Sequence, residues 1–288
     1  MAETGNELFE RIQAALGPEA HRHRGVDAPG RRDLAIAGGS YRAPGALVDG
    51  FRAGDGDVPV KAIVVAARAS TAVVKRAQEI GANIVISREA FLGDSQDRPV
   101  GKPEPALAEK IAFIEKSGIA VLRLQDARVG SKGAAITTAF PRAIGLAKPT
   151  PGLNLADGLV YATAPTRVVD FVRRVKRVLP TNTVRLVGDP QMAVTGVAVA
   201  TESSRPNALA PLISRRDVNL LMAGEVHETE TTAYVMDAIA LGERKALLLV
   251  GSIAKEEPAA RELALWLKTI TDKPVAYVPS NEGLIDVA

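Results

Sequence analysis

The chain has 288 residues, of which 47% are hydrophobic and 24% charged, values typical of a globular protein with one large or two ordinary domains. It has no cysteine, which excludes disulfides, thiolate metal sites and a cysteine nucleophile. Its 36 basic and 33 acidic residues nearly balance and only 4% of its residues are aromatic, so no nucleic-acid partner is expected.

The sequence carries no sign of a membrane segment. No run of about 18 apolar residues exists. The N-terminal residues 1–7 lack the basic stretch followed by an apolar one that marks a secretory signal. We therefore expect a cytoplasmic protein with no membrane partner, and the question of a signal removed before residue 1 stays open.

Residues 1–45 are predicted to form an N-terminal helix and an irregular arm. Leu8, Ile12 and Leu16 recur at a spacing of four, which predicts an amphipathic helix over 6–16. The arm is rich in glycine, proline and arginine. After the helix, only 34–36 and 46–51 have an ordered pattern before residue 58.

Residues 46–150 are predicted to form a first α/β half, because strand and helix patterns alternate along it. Gly81 and Gly118 directly follow two of the helices, as is common at helix C-termini. This alternation predicts a parallel sheet with right-handed crossovers. The predicted elements are strand 61–66, helix 71–80, strand 83–87, helix 105–117, strand 119–124 and helix 137–147.

Residues 151–288 are predicted to form a second α/β half, after a break rich in proline and glycine at 149–152. The fold class is therefore predicted to be α/β, with two similar halves. The predicted elements are strands 159–163, 183–187, 193–199, 220–223, 246–250 and 275–278, and helices 165–179, 207–214, 229–241 and 259–269.

Two strands, 83–87 and 246–250, have the apolar sequence of strands that are covered on both faces, and each is followed directly by a loop that carries a carboxylate. Arg88 and Glu89 follow the first of these strands, and Ser252 and Glu256 follow the second. Ligands of open α/β sheets bind outside the carboxyl ends of the strands, so these residues are candidates for one shared site. A carboxylate there can bind a divalent cation or move a proton. The alternative is a surface ion pair or a helix-capping charge.

Two further strands end in polar residues of the same kind. Gln125 and Asp126 follow strand 119–124, and Glu225 follows strand 220–223 after a glycine. Glu228 and Glu230 open the next helix, where acidic residues complement the helix dipole, and we favour that structural role for them.

Other motifs are absent or weak. His21 and His23 lie in an arginine-rich segment and are interpreted as part of a solvated loop rather than as metal ligands. The segment 188–190 is typical of a tight turn. The segment 130–133 precedes a helix and could hold an anion, but the full spacing of a P-loop is missing, and no G-x-S-x-G motif is present.

The order of these segments resembles the Nif-three-like family, whose members have a dinuclear metal centre and form hexamers, and which is also called GTP cyclohydrolase type-two-like. The matching stretch runs from about residue 46 to residue 280. Segment 81–91 resembles the family strand that ends in His-His-Pro or His-Glu-Pro. Segment 224–230 resembles Gly-Glu-x-x-Glu-x-Glu, and segment 251–257 resembles Gly-His-x-x-Ser-Glu-Glu. The resemblance implies a Nif-three-like fold with a central cleft and a homo-oligomer, typically a toroidal hexamer.

The chain departs from the family pattern at the metal ligands. Arg88 stands where the resemblance implies the first histidine, and Glu89 keeps the second ligand position. Ser252 replaces the histidine of the Gly-His motif, while Glu256 remains. The third strand-end motif of the family reads His-Asp-x-x-His or His-Thr-x-x-Asp. Here segment 125–129 reads Gln-Asp-Ala-Arg-Val, so its final ligand position is a valine.

Arginine at a ligand position opposes metal binding, because the guanidinium has no free lone pair and stays protonated. Two like unit charges about 4 Å apart cost about 4 kcal/mol at an effective dielectric near 20. Arg88 can instead pair with Glu89, Asp126 or Glu256. We therefore expect a divergent member with a degenerate dinuclear site, no metal and no cofactor. It would bind or transform a small polar or anionic metabolite in an Arg/carboxylate cleft.

The expected roles follow from these positions. The residues expected to act in catalysis are Arg88, Glu89, Asp126 and Glu256, and those expected to bind substrate are Gln125, Glu225 and Ser252. Two alternatives remain open. In one, the remaining carboxylates hold a single hard cation in a cyclohydrolase-like, metal-dependent hydrolase. In the other, the protein is a non-catalytic oligomeric scaffold.

Overall fold

The chain folds into two compact units, each built around its own five-stranded sheet. The first unit contains the described residues up to Ala139 and from Glu256 onward, and the second contains those from Phe140 to Lys255. The computed structural model describes residues 2–16, 33–36, 39–42, 49–90, 104–124, 136–150, 158–179, 181, 183–200 and 206–280, with the backbone alone for 33–36, 39–42 and 206–208.

From β4 (Ile63–Ala66) onward, helices and strands follow one another in the order that the sequence predicts. The first group is α1 (Gly5–Leu16), β1 (Asp33–Ile36), β2 (Gly39–Arg42), β3 (Gly50–Ala53), β4 (Ile63–Ala66), α2 (Thr71–Glu79), β5 (Ile84–Ser87), α3 (Pro105–Ser117), β6 (Ala120–Arg123) and α4 (Ala139–Ala143). The second group is β7 (Gly158–Arg167), α5 (Val168–Val178), β8 (Arg185–Val187), β9 (Ala193–Ala200), α6 (Pro206–Ile213), β10 (Leu220–Ala223), α7 (Ala233–Ala240), β11 (Ala246–Leu249), α8 (Ser252–Leu267) and β12 (Val275–Tyr277). A π-helical turn at Glu228–Thr232 leads into α7.

The first sheet has the strand order β12-β4-β5-β6-β3. Its first four strands are parallel, and β3 is antiparallel to β6. All four residues of each of β4, β5 and β6 are buried, as expected for strands covered on both faces. One face packs on α2 and α3, through Val73, Ile111 and Ile114. The carboxyl ends of four neighbouring strands therefore lie at one edge of this sheet.

The second sheet has the strand order β7-β9-β10-β11-β8. Its three central strands are parallel, and both edge strands are antiparallel to their neighbours. Phe171 and Val175 of α5 belong to one hydrophobic core of this unit. Leu209 and Ile213 of α6 belong to the other. The predicted α/β class is thus confirmed, with two sheets of related plan.

The structure differs from the sequence-based elements in several places. The sheets are mixed rather than purely parallel, because β3, β7 and β8 join as antiparallel edge strands. The helix predicted from 259 begins at Ser252 and contains Pro258. The helix predicted from 165 begins at Val168, because β7 continues to Arg167.

The C-terminal segment belongs to the first unit, whereas the sequence suggested that it would belong to a second half spanning 151–288. Strand β12 pairs with β4, for example Val275 opposite Ile63, and this hydrogen bonding returns the C-terminal segment to the first sheet. Among the described residues, no helix combines the length and the apolar character that crossing a bilayer requires.

Candidate functional site

The backbone at the carboxyl edge of the first sheet is held by hydrogen bonds that continue beyond the strands. Arg88 N donates to the carbonyl oxygen of Ala66 at 3.2 Å, and Glu89 N donates to that of Ala67 at 2.7 Å. Leu124 N donates to the carbonyl oxygen of Ser87 at 2.8 Å. The chain segments that carry Arg88 and Glu89 therefore have a fixed course as they leave the sheet.

The side chain of Ser87 fixes the same turn from inside. This residue is fully buried, and its Oγ donates to the carbonyl oxygen of Glu89 at 2.9 Å. The same Oγ accepts a hydrogen bond from Ala69 N at 3.0 Å. Its small hydroxyl therefore links the ends of β4 and β5, a role that the sequence analysis did not assign to it.

Arg88 forms an ion pair with Glu256 at this edge. Its side chain is 4% exposed, and Nη2 lies 3.3 Å from Glu256 Oε2, on a carboxylate side chain that is 18% exposed. Nη1 donates to the carbonyl oxygen of Leu124 at 3.2 Å. Glu256 is one of the three partners expected for Arg88 from the sequence. The start of α8 at Ser252 carries Glu256 to the sheet edge on a helix rather than a loop.

Glu257, the neighbour of Glu256, is more deeply buried. It is 2% exposed, and its carboxylate accepts hydrogen bonds from Tyr277 Oη and Ser280 N, both at 2.7 Å. Burial raises the pKa of the Glu257 carboxyl above its usual value, although both hydrogen bonds act to lower it. No sequence pattern singled out this residue.

Two further arginines are buried in the first unit. Arg123, the last residue of β6, is fully buried and lies opposite Ser87 in the sheet register. Arg52 in β3 is 4% exposed. The sequence offers one signal for Arg123, a single charge within the otherwise apolar run 119–124, which predicts a strand but no role for the arginine.

The predicted binding residues of the second unit lie at the carboxyl edge of its sheet. Gly251 N donates to the carbonyl oxygen of Gly224 at 2.9 Å. A Cβ atom on Gly224 would come within 2.6 Å of Ser252 Cα, so only glycine allows this close approach. Glu225 is exposed and Ser252 half-buried. That these residues share a cleft with Arg88 stays a prediction.

The acidic residues at the start of the π-helical turn have surface partners. Glu228 forms an ion pair with Arg185, and Glu230 Oε1 lies 3.8 Å from His227 Nδ1. All four side chains are largely exposed. This geometry agrees with the structural role that the sequence favoured for Glu228 and Glu230.

Several predicted positions lie outside the described residues. They are Gln125, Asp126, the rest of the segment 125–129, the glycine-rich segment 130–133, His21 and His23. Within the part of the chain that the structure describes, no three His, Asp or Glu side chains are grouped so that they could hold a metal ion.

A cavity of about 360 Å³ lies elsewhere in the first unit, beside β3 and the end of α3. Its walls include Asn6, Arg52, Asp55, Asp57 and Glu115. Gly54 at its rim lies close to Ile119, which places the cavity near the amino end of β6. None of the described residues of the predicted site lines it.

Comparison with known proteins gives a family match over most of the chain. Residues 40–280 match the model of the Duf34/NIF3 (NGG1p interacting factor 3) family. No significant match was found among curated proteins.

Solved structures of similar fold cover nearly the whole chain. A hypothetical protein from Staphylococcus aureus has a TM-score of 0.72 at 13% identity and covers 100% of both chains. A Bacillus cereus protein related to NIF3 has a TM-score of 0.68 at 15% identity, again over 100% of both chains. Reduced HcgD from Methanocaldococcus jannaschii has a TM-score of 0.67 at 14% identity and covers 96% of this chain and 98% of its own. At these identities the likeness concerns the fold.

Proposed function

The chain belongs to the Duf34/NIF3 family, and from this premise we propose that it is a divergent member that works without a dinuclear metal centre. It binds or transforms a small polar or anionic metabolite at Arg88, Glu89 and Glu256. Asp126, Gln125, Glu225 and Ser252 complete the proposed site.

The ion pair between Arg88 and Glu256 carries this proposal. The resemblance places both residues at ligand positions of the family, and in this chain they contact each other at 3.3 Å. A charge-assisted N–H···O bond is normally about 2.7–2.9 Å long, and this contact is longer than that, at 3.3 Å. A ligand that offers a better acceptor can therefore take the place of the Glu256 carboxylate at Nη2.

The described residues at this edge argue against a dinuclear metal centre. A guanidinium has no free lone pair with which to ligate a cation. Arg88 is 4% exposed and its Nη2 contacts the Glu256 carboxylate. The guanidinium therefore occupies a carboxylate that a metal ion would need as a ligand. The positive charge also repels a divalent ion nearby.

The chemistry of the ligand follows from the charges at the site. The guanidinium of Arg88 suits a phosphate or carboxylate group, which it can bind through two N–H donors. Glu89 is half-buried and Glu256 is 18% exposed, and both carboxylates accept hydrogen bonds from hydroxyl or amino groups. The site therefore suits a small metabolite that has one anionic group and several polar hydrogens.

The proposal extends to assembly, because the resemblance implies a homo-oligomer and typically a hexamer. Sedimentation equilibrium should give a mass that is a multiple of the 30.3 kDa chain, and six times that mass for a hexamer. A monomer at micromolar concentration would contradict this part of the proposal.

Calorimetric titration with inorganic phosphate, in the presence of a chelator, tests the binding function. We expect the wild type to bind phosphate, and the double variant Arg88→Gln/Glu256→Gln to lose at least tenfold in affinity. The double variant removes both charges together, so neither remains buried without its counterpart.

Arg68→Gln is the matched control, since Arg68 is an exposed arginine that follows the neighbouring strand β4. This variant should bind phosphate like the wild type. Equal affinity in the wild type and the double variant would overturn the proposal, and binding that disappears with chelator would favour the metal-dependent alternative.

A further inference from the structure

Glu257 anchors the start of α8 to the end of β12 and to the segment that follows it. Its two carboxylate oxygens accept from Tyr277 Oη and Ser280 N at 2.7 Å each. The ring of Tyr277 in turn lies 5.2 Å from the guanidinium carbon of Arg261, one helical turn further along α8. The contact is therefore built from both the side chain and the backbone of the C-terminal segment.

The anchor continues to the strands that carry the proposed site. Ser280 Oγ accepts a hydrogen bond from Arg68 N at 2.8 Å. The neighbouring residue Ala67 accepts a hydrogen bond from Glu89 N at 2.7 Å. A chain of contacts thus runs from α8 through the ends of β12 and β4 to the residue next to Arg88.

Pro258 explains why the start of α8 needs such an anchor. Proline has no N–H, so residue 258 cannot donate to the carbonyl oxygen of Ala254 as a helix interior requires. The residue before a proline is also disfavoured in the helical conformation, and that residue is Glu257. The helix's own hydrogen bonds therefore hold this part of α8 less firmly.

We infer that Glu257, together with Tyr277 and Ser280, is a positioning device that sets the direction in which Glu256 projects toward Arg88. Adjacent helical residues project about 100° apart, since an α-helix has 3.6 residues per turn. Fixing the Glu257 carboxylate therefore fixes the rotation of the helix at Glu256. The inference rests on the proposed binding function, since Arg88 and Glu256 form the site that is positioned.

The test removes one hydrogen bond of the anchor and observes Arg88 directly. In protein labelled with ¹⁵N-arginine, the Arg88 Nε–Hε signal is identified by its loss in Arg88→Gln. We expect Tyr277→Phe to shift this signal and to speed its exchange with water, at a temperature well below unfolding. Tyr234→Phe is the matched control, because Tyr234 is 37% exposed on α7, and it should leave the signal in place.

Phosphate affinity separates this inference from the proposed function. If phosphate binds, Tyr277→Phe should weaken it by roughly three- to tenfold while Tyr234→Phe does not. An unchanged Arg88 signal in Tyr277→Phe overturns the positioning role, whatever the affinity of the site. A shifted signal in a protein that binds no phosphate supports the positioning role and counts against the binding function.

A second variant keeps the test informative if Tyr277→Phe folds poorly. Glu257→Gln keeps the size of the side chain but replaces one acceptor by an amide donor, so it can satisfy only one of the two donors. It should shift the Arg88 signal in the same way. An unchanged signal in this variant also overturns the inference.

Discussion

At the scale of single residues, the stability of the fold around the site depends on which groups replace the water that the Arg88 guanidinium loses on burial. A charged group that is 4% exposed has lost most of its hydration, and the contacts to Glu256 and to the Leu124 carbonyl replace part of it. Removing one member of a buried pair usually costs more than the pair contributes, because the other charge is left behind.

Arg88→Ala should therefore lower the free energy of unfolding by about 3 kcal/mol, the low end for a buried pair, since Glu256 keeps some contact with water. The measurement is a denaturant titration with a thermal melt. Arg68→Ala, which truncates an exposed arginine at the next strand end, should stay within about 0.5 kcal/mol of the wild type. An unchanged melting temperature for Arg88→Ala would mean that this guanidinium is not held in a buried pocket.

Tyr161 offers the opposite case, a buried hydroxyl without a hydrogen-bond partner among the described residues. It is 1% exposed within the core of the second unit, and burial raises the pKa of its hydroxyl to about 12. Tyr161→Phe should leave the free energy of unfolding unchanged or raise it by up to about 1 kcal/mol, because an uncompensated polar group leaves the core. A loss of more than about 1 kcal/mol in a urea titration would mean that the hydroxyl has a partner.

The residues of the site differ in how far the sequence could reveal them. Arg88 and Glu256 lie in segments that resemble family motifs, so both could be singled out from the sequence, and Glu256 was one of three partners expected for Arg88. Glu257 could not, because its burial depends on Tyr277 and Ser280, which follow it by 20 and 23 positions. Such contacts become visible only once β12 is placed beside β4.

At the scale of elements, the hydrophobic pattern and the glycines that follow helix C-termini were enough to locate most helices and strands. The predicted bounds of α3 and β10 match the structure, since a glycine closes α3 and the β10 run is short and wholly apolar. The direction of the edge strands β3, β7 and β8 could not be predicted in this way. Strand direction depends on pairing between distant segments, which a local pattern does not record.

The sequence predicts α8 from residue 259, whereas the helix begins seven residues earlier, at Ser252. Proline inside a helix is unfavourable, so the local preference at Pro258 opposes a helix that crosses it. Tertiary contacts of Glu256 and Glu257 outweigh that local preference here.

Lys245 links the start of β11 to the loop between α6 and β10. It is 5% exposed, and its Nζ donates to the carbonyl oxygens of Arg215 at 2.7 Å and Val218 at 2.8 Å. Lys245→Met should lower the free energy of unfolding by about 2 kcal/mol or more, because buried acceptors lose their donor. Lys268→Met, at an exposed position of the chain, should have little effect. Equal melting temperatures for the two variants would contradict this role.

The same lysine predicts a pH dependence. Burial lowers its pKa below the ordinary 10.5, while Glu243 and Asp217 act to raise it. In the range just below 10.5, Lys245 therefore binds fewer protons in the folded state than in the unfolded state, so its contribution to the free energy of unfolding rises with pH there. This rise should be smaller in Lys245→Met when urea titrations are compared across that range. A steeper rise in the variant would contradict the sign.

At the scale of the whole molecule, membership of the family accounts for the fold. The substitutions at the family's metal-ligand positions are the reason for proposing a function without the metal centre. Two sheets with parallel centres agree with the Nif-three-like expectation and with the solved relatives. The shared cleft, the hexamer and the loss of the metal centre remain predictions, since each depends on features beyond a single unit.

Restoring side chains that can ligate a metal should restore metal binding, if the metal centre has been lost as proposed. Arg88→His, Val129→Asp and Ser252→His together should raise zinc or manganese occupancy, because Glu89 and Glu256 regain partners with lone pairs. Each substitution alone should do little, since a site with two or three ligands stays weak. Elemental analysis after dialysis against the metal provides the readout. Single and triple variants with equal occupancy would contradict the ligand assignment.

The metal content of the unmodified protein, purified without chelator, is the most direct test of the central claim. We predict far less than two transition-metal ions per chain, and phosphate binding that survives treatment with chelator. The physical reason is the guanidinium of Arg88, whose Nη2 contacts Glu256 at 3.3 Å. Two tightly bound ions per chain would contradict the account and restore the metal-dependent hydrolase.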